Sequence, residues 1–206
     1  MDAASFTGRA LYSDLARTGW FQCGNKEINS LYKNILWSQR SNFIDIPTDC
    51  PQRDERLPWT GDAQVFASTA CFNMDCREFY PHFLRLLRQD QEKRGGGIAS
   101  YLPYDPMLND PAPVWGDCAV ILPVTLYEHY GDISILEKNY PMMRDWMAYL
   151  EEKDREHGGR WIWNHGFQFG DWLALDGITP NSFKGSTEDA FVSVSYTHLT
   201  LPTNRE

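Results

Sequence analysis

The densest group of chemically capable side chains lies between residues 45 and 62. It combines acids, arginines and one tryptophan: Asp45, Asp49, Arg53, Asp54, Glu55, Arg56, Trp59 and Asp62. Carboxylates and guanidinium groups hold sugar hydroxyls through paired hydrogen bonds, and a tryptophan face packs on sugar C–H groups. These residue types favour a carbohydrate site. The alternative is an ordinary polar loop in which Arg53 and Arg56 bridge nearby acids.

Two later segments repeat the pairing of tryptophan with aspartate. Trp115 and Asp117 fall where a loop becomes a helix, and Asp171 and Trp172 lie on a later loop. Both pairs are typical of the walls of a sugar site. For each pair the alternative is a tryptophan that fills the core beside an aspartate that caps a helix. Three such clusters on long loops favour the sugar site.

Prolines and long loops indicate how these side chains are presented. Pro47, Pro51 and Pro58 oppose a continuous helix through the first cluster, so its acids are expected on a shaped loop. Three segments are long, rich in Pro, Gly, Trp and Asp, and without strong periodicity: 43–60, 93–114 and 156–180. Loops of this length in a compact domain are more often binding loops than connectors.

About six helices are predicted around these loops, because apolar residues recur at helical spacing. Asn25 is placed to cap the first helix, Gly131 ends the fourth, and Pro141 suits the first turn of the last. Pro123 is expected to kink the fourth helix unless it falls in the opening turn. The apolar stripes are Ile28, Leu31, Tyr32 and Ile35; Val65, Phe66 and Cys71; Phe79, Tyr80, Phe83, Leu84 and Leu87; Val120, Ile121, Val124 and Tyr127; Ile133 and Leu136; and Met143, Trp146, Met147 and Leu150.

Short and long connections around such helices predict helical hairpins arranged in a ring or a stack, with the long loops on one functional face. A helical-repeat solenoid is the alternative, although the sequence shows no fixed-period repeat.

Composition narrows the classes of function. With 206 residues and 42% hydrophobic content, the chain can bury one globular core. A net charge of −9 without a basic patch argues against nucleic acid or an anionic membrane as a partner. The five cysteines contain no CxxC pair, so neither a zinc site nor a disulfide framework is predicted. Cellular compartment and oligomeric state stay open.

The run Asp49-Cys50-Pro51-Gln52-Arg53-Asp54-Glu55-Arg56, followed by Trp59 and Gly61-Asp62-Ala63, resembles the signature of bacterial α-L-rhamnosidases of glycoside hydrolase family 78. Supporting matches are Trp115-Gly116-Asp117, Gly170-Asp171-Trp172 and the segment 186–191. The resemblance covers about residues 9 to 193. Pro58 departs from it, because the family more often has glycine there.

The resemblance implies an all-α fold, the (α/α)6 barrel of six-hairpin glycosidases, and hydrolysis of terminal α-L-rhamnose from a rhamnose-containing glycoside with inversion. It implies no cofactor and no metal. Glu55 matches the general acid. The positions that match substrate-binding residues are Asp49, Arg53, Trp59, Asp62, Trp115, Asp117, Asp171 and Trp172.

An inverting mechanism requires Glu55 to be protonated at the start of the reaction. One carboxylic acid protonates the leaving oxygen while a second carboxylate, roughly 6.5–9.5 Å away, activates water. Glu55 must therefore hold a proton near neutral pH. Neighbouring acids would raise its pKa, whereas Arg53 and Arg56 would lower it, and the sequence leaves the balance open.

The resemblance also suggests a division of the chain. We expect an extended lead-in from an upstream β domain at 1–22, the N-terminal part of the barrel at 23–193, and a non-native tail at 194–206. The family's base is a glutamate in the second half of the barrel, and no residue here matches it. We therefore expect a barrel incomplete on its C-terminal side, without activity of its own. The alternatives are another glycosidase or lyase on the same barrel and a non-catalytic carbohydrate-binding module.

Overall fold

The computed structural model describes residues 5–104, 110–161, 163, 165, 166 and 169. Within these residues the fold is helical, as predicted, apart from two short strands that pair antiparallel around Asp45. The helices are α1 (Lys26–Asn42), α2 (Thr60–Asn73), α3 (Phe79–Gln91), α4 (Cys118–Tyr130) and α5 (Ile133–Glu156), and the strands are β1 (Phe43–Ile44) and β2 (Ile46–Pro47).

The described helices contact both sequence neighbours and next-but-one neighbours. The most extensive helix contacts join α2 to α4, which are separated in sequence by α3, and α4 to α5, while α3 also contacts α5. Much of α2 is buried, and its buried residues include the small side chains Ala63, Ala67 and Ala70. Helix α4 buries Val120 and Leu122, and its apolar residues are not confined to one face. Contact between next-but-one helices is typical of helical hairpins that curve into a ring.

The α3 stripe and several helix ends match the sequence predictions. All five apolar residues of the α3 stripe are buried, with Pro81 in the first turn. The Asn25 side chain accepts hydrogen bonds from the backbone N–H groups of Glu27 and Ile28, which caps α1. Gly131 ends α4 in the left-handed conformation, with φ of 67°.

One predicted helix boundary is wrong. Pro141 was expected to open a new helix, but α5 continues through it from Ile133 to Glu156. A proline inside a helix costs about 3 kcal/mol. Packing offsets that cost, because Leu136 before the proline and Met142 and Trp146 after it are all buried. Pro123 likewise lies inside α4, where it is buried.

The predicted apolar face of α1 is also wrong in its N-terminal half. Ile28 and Leu31 are 45% and 57% exposed, whereas Leu36 and the polar Gln39 are buried. The Gln39 amide donates to the Ala70 carbonyl at 3.2 Å and accepts from Asn73 Nδ2 at 2.9 Å. A buried polar contact with α2, which apolar spacing cannot reveal, therefore orients α1.

The lead-in before α1 is extended in its described part. The Ser13 N–H donates to the Phe43 carbonyl at 2.9 Å, and the Asp75 N–H donates to the Ala16 carbonyl at 2.8 Å. The lead-in therefore runs along the ends of α1 and α2. Its origin in an upstream β domain stays a prediction, and the expected tail at 194–206 lies outside the described residues. None of the described helices is long and apolar enough to span a bilayer.

Candidate active site

The acidic loop, which we define as residues 48–59, connects β2 to α2 and lies outside any helix, as its prolines predicted. Asp49 closes it in two ways. The Asp49 N–H donates to the Leu57 carbonyl at 3.0 Å, and the Leu57 N–H donates to Asp49 Oδ1 at 2.9 Å. These two bonds hold the two ends of the loop together, and the Asp49 side chain that makes them is only 7% exposed.

Arg53, Glu55 and Trp59 form a network on this loop. Arg53 Nε donates to Glu55 Oε2 at 2.8 Å, and Arg53 Nη2 donates to Asp49 Oδ2 at 3.1 Å. The Trp59 indole N–H donates to Glu55 Oε1 at 2.9 Å. Both carboxylate oxygens of Glu55 therefore accept a hydrogen bond from a group that can only donate.

The protonation of Glu55 follows from this network. The hydrogen bond from Arg53 lowers the pKa of Glu55, the Trp59 N–H lowers it further, and partial burial opposes them. Arg56 pairs instead with Asp54, with 3.6 Å between Nη1 and Oδ1. The balance left open by the sequence therefore falls toward the carboxylate, whereas a general acid must begin protonated.

An aromatic run borders the loop. The Trp59 ring lies 4.7 Å from Tyr101 and 5.2 Å from Phe169, and Phe169 lies 4.8 Å from Trp115, measured between centroids. The Thr60 N–H donates to the Ser100 carbonyl at 2.9 Å, which holds the start of α2 beside this wall.

Sequence reasoning assigned no role to Tyr101 or Phe169. Phe169 could have been found, because it adjoins the Gly170-Asp171-Trp172 motif. No local signal marks Tyr101, which lies in a long loop and meets Trp59 only through the fold.

A cavity of about 560 Å³ opens beside the loop. Asp49, Asp62 and Trp115 line it, together with Gln39 of α1 and Gln64 of α2. Burial of its carboxyl raises the pKa of Asp62, and the negative charges of Asp49 and Glu55 raise it further, although the residue as a whole is exposed. Asp49 therefore belongs both to the cavity and to the Glu55 network.

Asp117 occupies a different environment from the one predicted for a sugar ligand. It is 1% exposed and is not among the residues that line the cavity. Its Oδ2 accepts from the Val114 N–H at 3.0 Å, and its Oδ1 accepts from the Trp146 indole N–H at 3.1 Å. A sugar-binding role for Asp117 stays a prediction. Asp171 and Trp172 lie outside the described residues.

Within the described part of the chain, the ligand atoms of Asp49, Cys50 and Glu55 lie close enough to be considered for a metal, within 4.8 Å of one another. Arg53 already places its guanidinium between the two carboxylates. The Arg53 guanidinium therefore already supplies a positive charge between Asp49 and Glu55.

Comparison with known proteins adds independent observations. The family described as bacterial alpha-L-rhamnosidase 6 hairpin glycosidase domain matches residues 16–203. An α-L-rhamnosidase of Formosa agariphila is 38% identical over 190 residues, which cover 92% of this chain and 20% of that protein.

Two solved structures are also similar. The Streptomyces avermitilis α-L-rhamnosidase complexed with L-rhamnose matches 85% of this chain and 16% of its own, with 35% identity and a TM-score of 0.74. The native α-L-rhamnosidase of Aspergillus terreus matches 66% of this chain and 16% of its own, with 44% identity and a TM-score of 0.63. The chain thus spans a fifth or less of the length of these relatives.

Proposed function

This chain belongs to the bacterial α-L-rhamnosidase family of six-hairpin glycosidases, and we propose that it supplies the general-acid side of a site that hydrolyses terminal α-L-rhamnose with inversion. Family membership and the structural likeness confirm the predicted fold class, an all-α barrel of the six-hairpin type. The five described helices account for part of such a ring.

The observation that carries the proposal is the hydrogen-bonded network of Asp49, Arg53, Glu55 and Trp59 beside an acidic, tryptophan-lined cavity. In the proposal Asp49, Arg53 and Asp62 hold sugar hydroxyls. Carboxylates and guanidinium groups suit this task, because each forms paired hydrogen bonds with vicinal hydroxyls. The faces of Trp59 and Trp115 pack on the C–H groups of the ring.

Glu55 would act in the proposal by giving its proton to the glycosidic oxygen as the bond to the anomeric carbon breaks. Water would attack the opposite face of that carbon and lose a proton to a second carboxylate. The second carboxylate is not assigned to any residue here. Because Arg53 holds Glu55 as a carboxylate, the bound sugar must draw Arg53 toward its own hydroxyls before Glu55 can take up a proton.

Hydrolysis can be tested in a chimera in which this chain replaces the matching segment of the Streptomyces avermitilis α-L-rhamnosidase. We expect the chimera to cleave an aryl α-L-rhamnoside in preference to other aryl glycosides and to release β-L-rhamnose first, as proton NMR would show. Glu55→Gln should remove most turnover, and less of it when the aryl leaving group is acidic and needs no proton. The matched control is Glu151→Gln, an exposed glutamate on α5. Unchanged turnover in Glu55→Gln would refute the acid assignment.

A second candidate function is carbohydrate binding without hydrolysis. It is favoured by the ion pair that keeps Glu55 as a carboxylate, with 2.8 Å between Arg53 Nε and Glu55 Oε2. Calorimetry of the chain with L-rhamnose, combined with product analysis, separates the two functions. Binding without product in both the chain and the chimera would favour this second function.

A further inference from the structure

Trp115 is held by its surroundings rather than by a hydrogen bond of its own. Its indole lies against Gly61, where an added Cβ would come within 2.9 Å of Nε1. The indole N–H is buried and has no hydrogen-bond partner among the residues that the structure describes. The position of this cavity wall therefore depends on the backbone that precedes it.

That backbone is clamped at Val114. The residue has φ of 73°, a left-handed conformation that β-branched residues rarely adopt. Its N–H donates to Asp117 Oδ2 at 3.0 Å, and its carbonyl accepts a hydrogen bond from Gln64 Nε2 of α2. Because both polar groups of Val114 are bound, the disfavoured conformation persists and sets the direction in which Trp115 leaves the loop.

The Asp117 carboxylate also accepts a hydrogen bond from helix α5. Trp146 is fully buried, and its indole N–H donates to Asp117 Oδ1 at 3.1 Å. The Trp146 ring also fills the space beside Gly116, where an added Cβ would come within 2.6 Å of the ring. Trp146 therefore contacts the residue that follows Trp115 and bonds the carboxylate that clamps the residue before it.

We propose that Trp146 is a positioning residue for Trp115 and acts through the Asp117 carboxylate. A buried carboxylate keeps one orientation only while donors satisfy it. Loss of the indole N–H would remove the donor to Asp117 Oδ1, loosen the bond from the Val114 N–H to Oδ2 and let Trp115 move within the cavity. This proposal deepens the proposed function, on which its consequence for sugar binding rests.

The test is fluorine NMR of the chain labelled with 5-fluorotryptophan, in which Trp115→Phe assigns the Trp115 signal. In Trp146→Phe we expect the Trp115 signal to shift and broaden, and the dissociation constant for L-rhamnose to rise on the order of ten-fold. The control is Leu150→Ala, which removes a buried side chain from the same helix one turn after Trp146. It should leave the Trp115 signal in place even if the chain melts at a lower temperature.

An unchanged Trp115 signal in Trp146→Phe would overturn the proposal, and so would an equal change in Leu150→Ala. If Trp146→Phe does not fold, Asp117→Asn gives the same test, because the two donors bond opposite carboxylate oxygens and the amide of asparagine would place an NH₂ group in front of one of them. In the unsubstituted chain, slow exchange of the Trp146 indole proton is expected, and rapid exchange would contradict the buried bond. Failure of L-rhamnose to bind the chimera, with the Trp115 signal of the chain still responding to Trp146→Phe, would defeat the proposed function alone.

Discussion

Replacing Gly61 with alanine sets two effects against each other at the wall of the cavity. Gly61 lies in the first turn of α2, where alanine is favoured over glycine by about 1 kcal/mol. The new Cβ would meet three atoms of the Trp115 indole at 2.9 to 3.0 Å. Ordinary contacts between such atoms lie near 3.5 Å. The indole must therefore move away by roughly half an ångström, the difference between these two distances.

The helix gain and the overpacking cost oppose each other in the free energy of unfolding. Binding is affected only by the displacement of Trp115. Overpacking costs about 1–3 kcal/mol, so the free energy of unfolding of Gly61→Ala should fall by about 0–2 kcal/mol once the helix gain of about 1 kcal/mol is subtracted. A displaced wall, however, should weaken L-rhamnose binding on the order of ten-fold, since displacements of about 1 Å are felt strongly in sugar and enzyme sites.

Urea unfolding and calorimetric titration with L-rhamnose measure the two quantities on the same preparation. Gly24→Ala is the matched control, because an added Cβ there meets nothing within 4 Å. It should leave both quantities unchanged. Wild-type affinity in Gly61→Ala would refute the argument that Gly61 sets the position of Trp115. A loss of stability as large as that of a core truncation would show instead that the indole cannot yield.

Further predictions concern charge and buried polarity. In Arg53→Gln the pKa of Glu55 should rise, as carbon NMR of labelled glutamate would report, whereas Arg56→Gln should leave it unchanged; a fall in Arg53→Gln would contradict the network. The pKa of Glu55 is lowered in the folded chain, so the Arg53–Glu55 ion pair stabilises the fold above the pKa that Glu55 has in the unfolded chain. That stabilisation should be lost as the pH falls through the folded pKa, and acid unfolding of Arg53→Gln should lack the loss. Gln39→Leu should lower the free energy of unfolding on the order of 1–3 kcal/mol in urea, because it leaves the buried Asn73 amide without its acceptor, whereas the Ala70 carbonyl keeps its bond from the Met74 N–H; an unchanged midpoint would refute this account of α1.

Local signals predicted the parts of the fold that local chemistry determines. Asn25 caps α1 and Gly131 ends α4 because each satisfies or relieves backbone groups within one turn. Pro141 shows the limit of such signals. A proline is a local cost, and only the core contacts made by α5 on both sides of it decide that the helix continues.

The same limit applies to the face of α1 and to the site. Gln39 faces α2 because its amide has partners there, and no spacing of apolar residues encodes that contact. Glu55 could be proposed as a general acid from its motif, and that role stays a prediction. Its protonation could not be predicted, because it depends on which arginine lies within 2.8 Å. Asp117 likewise matched a sugar-site motif, while its burial against Trp146 became visible only in the fold.

These differences divide the candidate site into two parts with different physical support. Asp49, Arg53, Glu55 and Trp59 are joined by hydrogen bonds within eleven residues of chain, and outside this loop the Trp59 ring packs on Tyr101 and Phe169. The Trp115 wall depends instead on α2 through Gly61 and Gln64 and on α5 through Trp146. Substitutions in the helical core should therefore displace the wall before they disturb Glu55. In the proposed site, α5 should therefore affect sugar binding through Trp115, whereas Arg53 should affect both sugar binding and the protonation of Glu55.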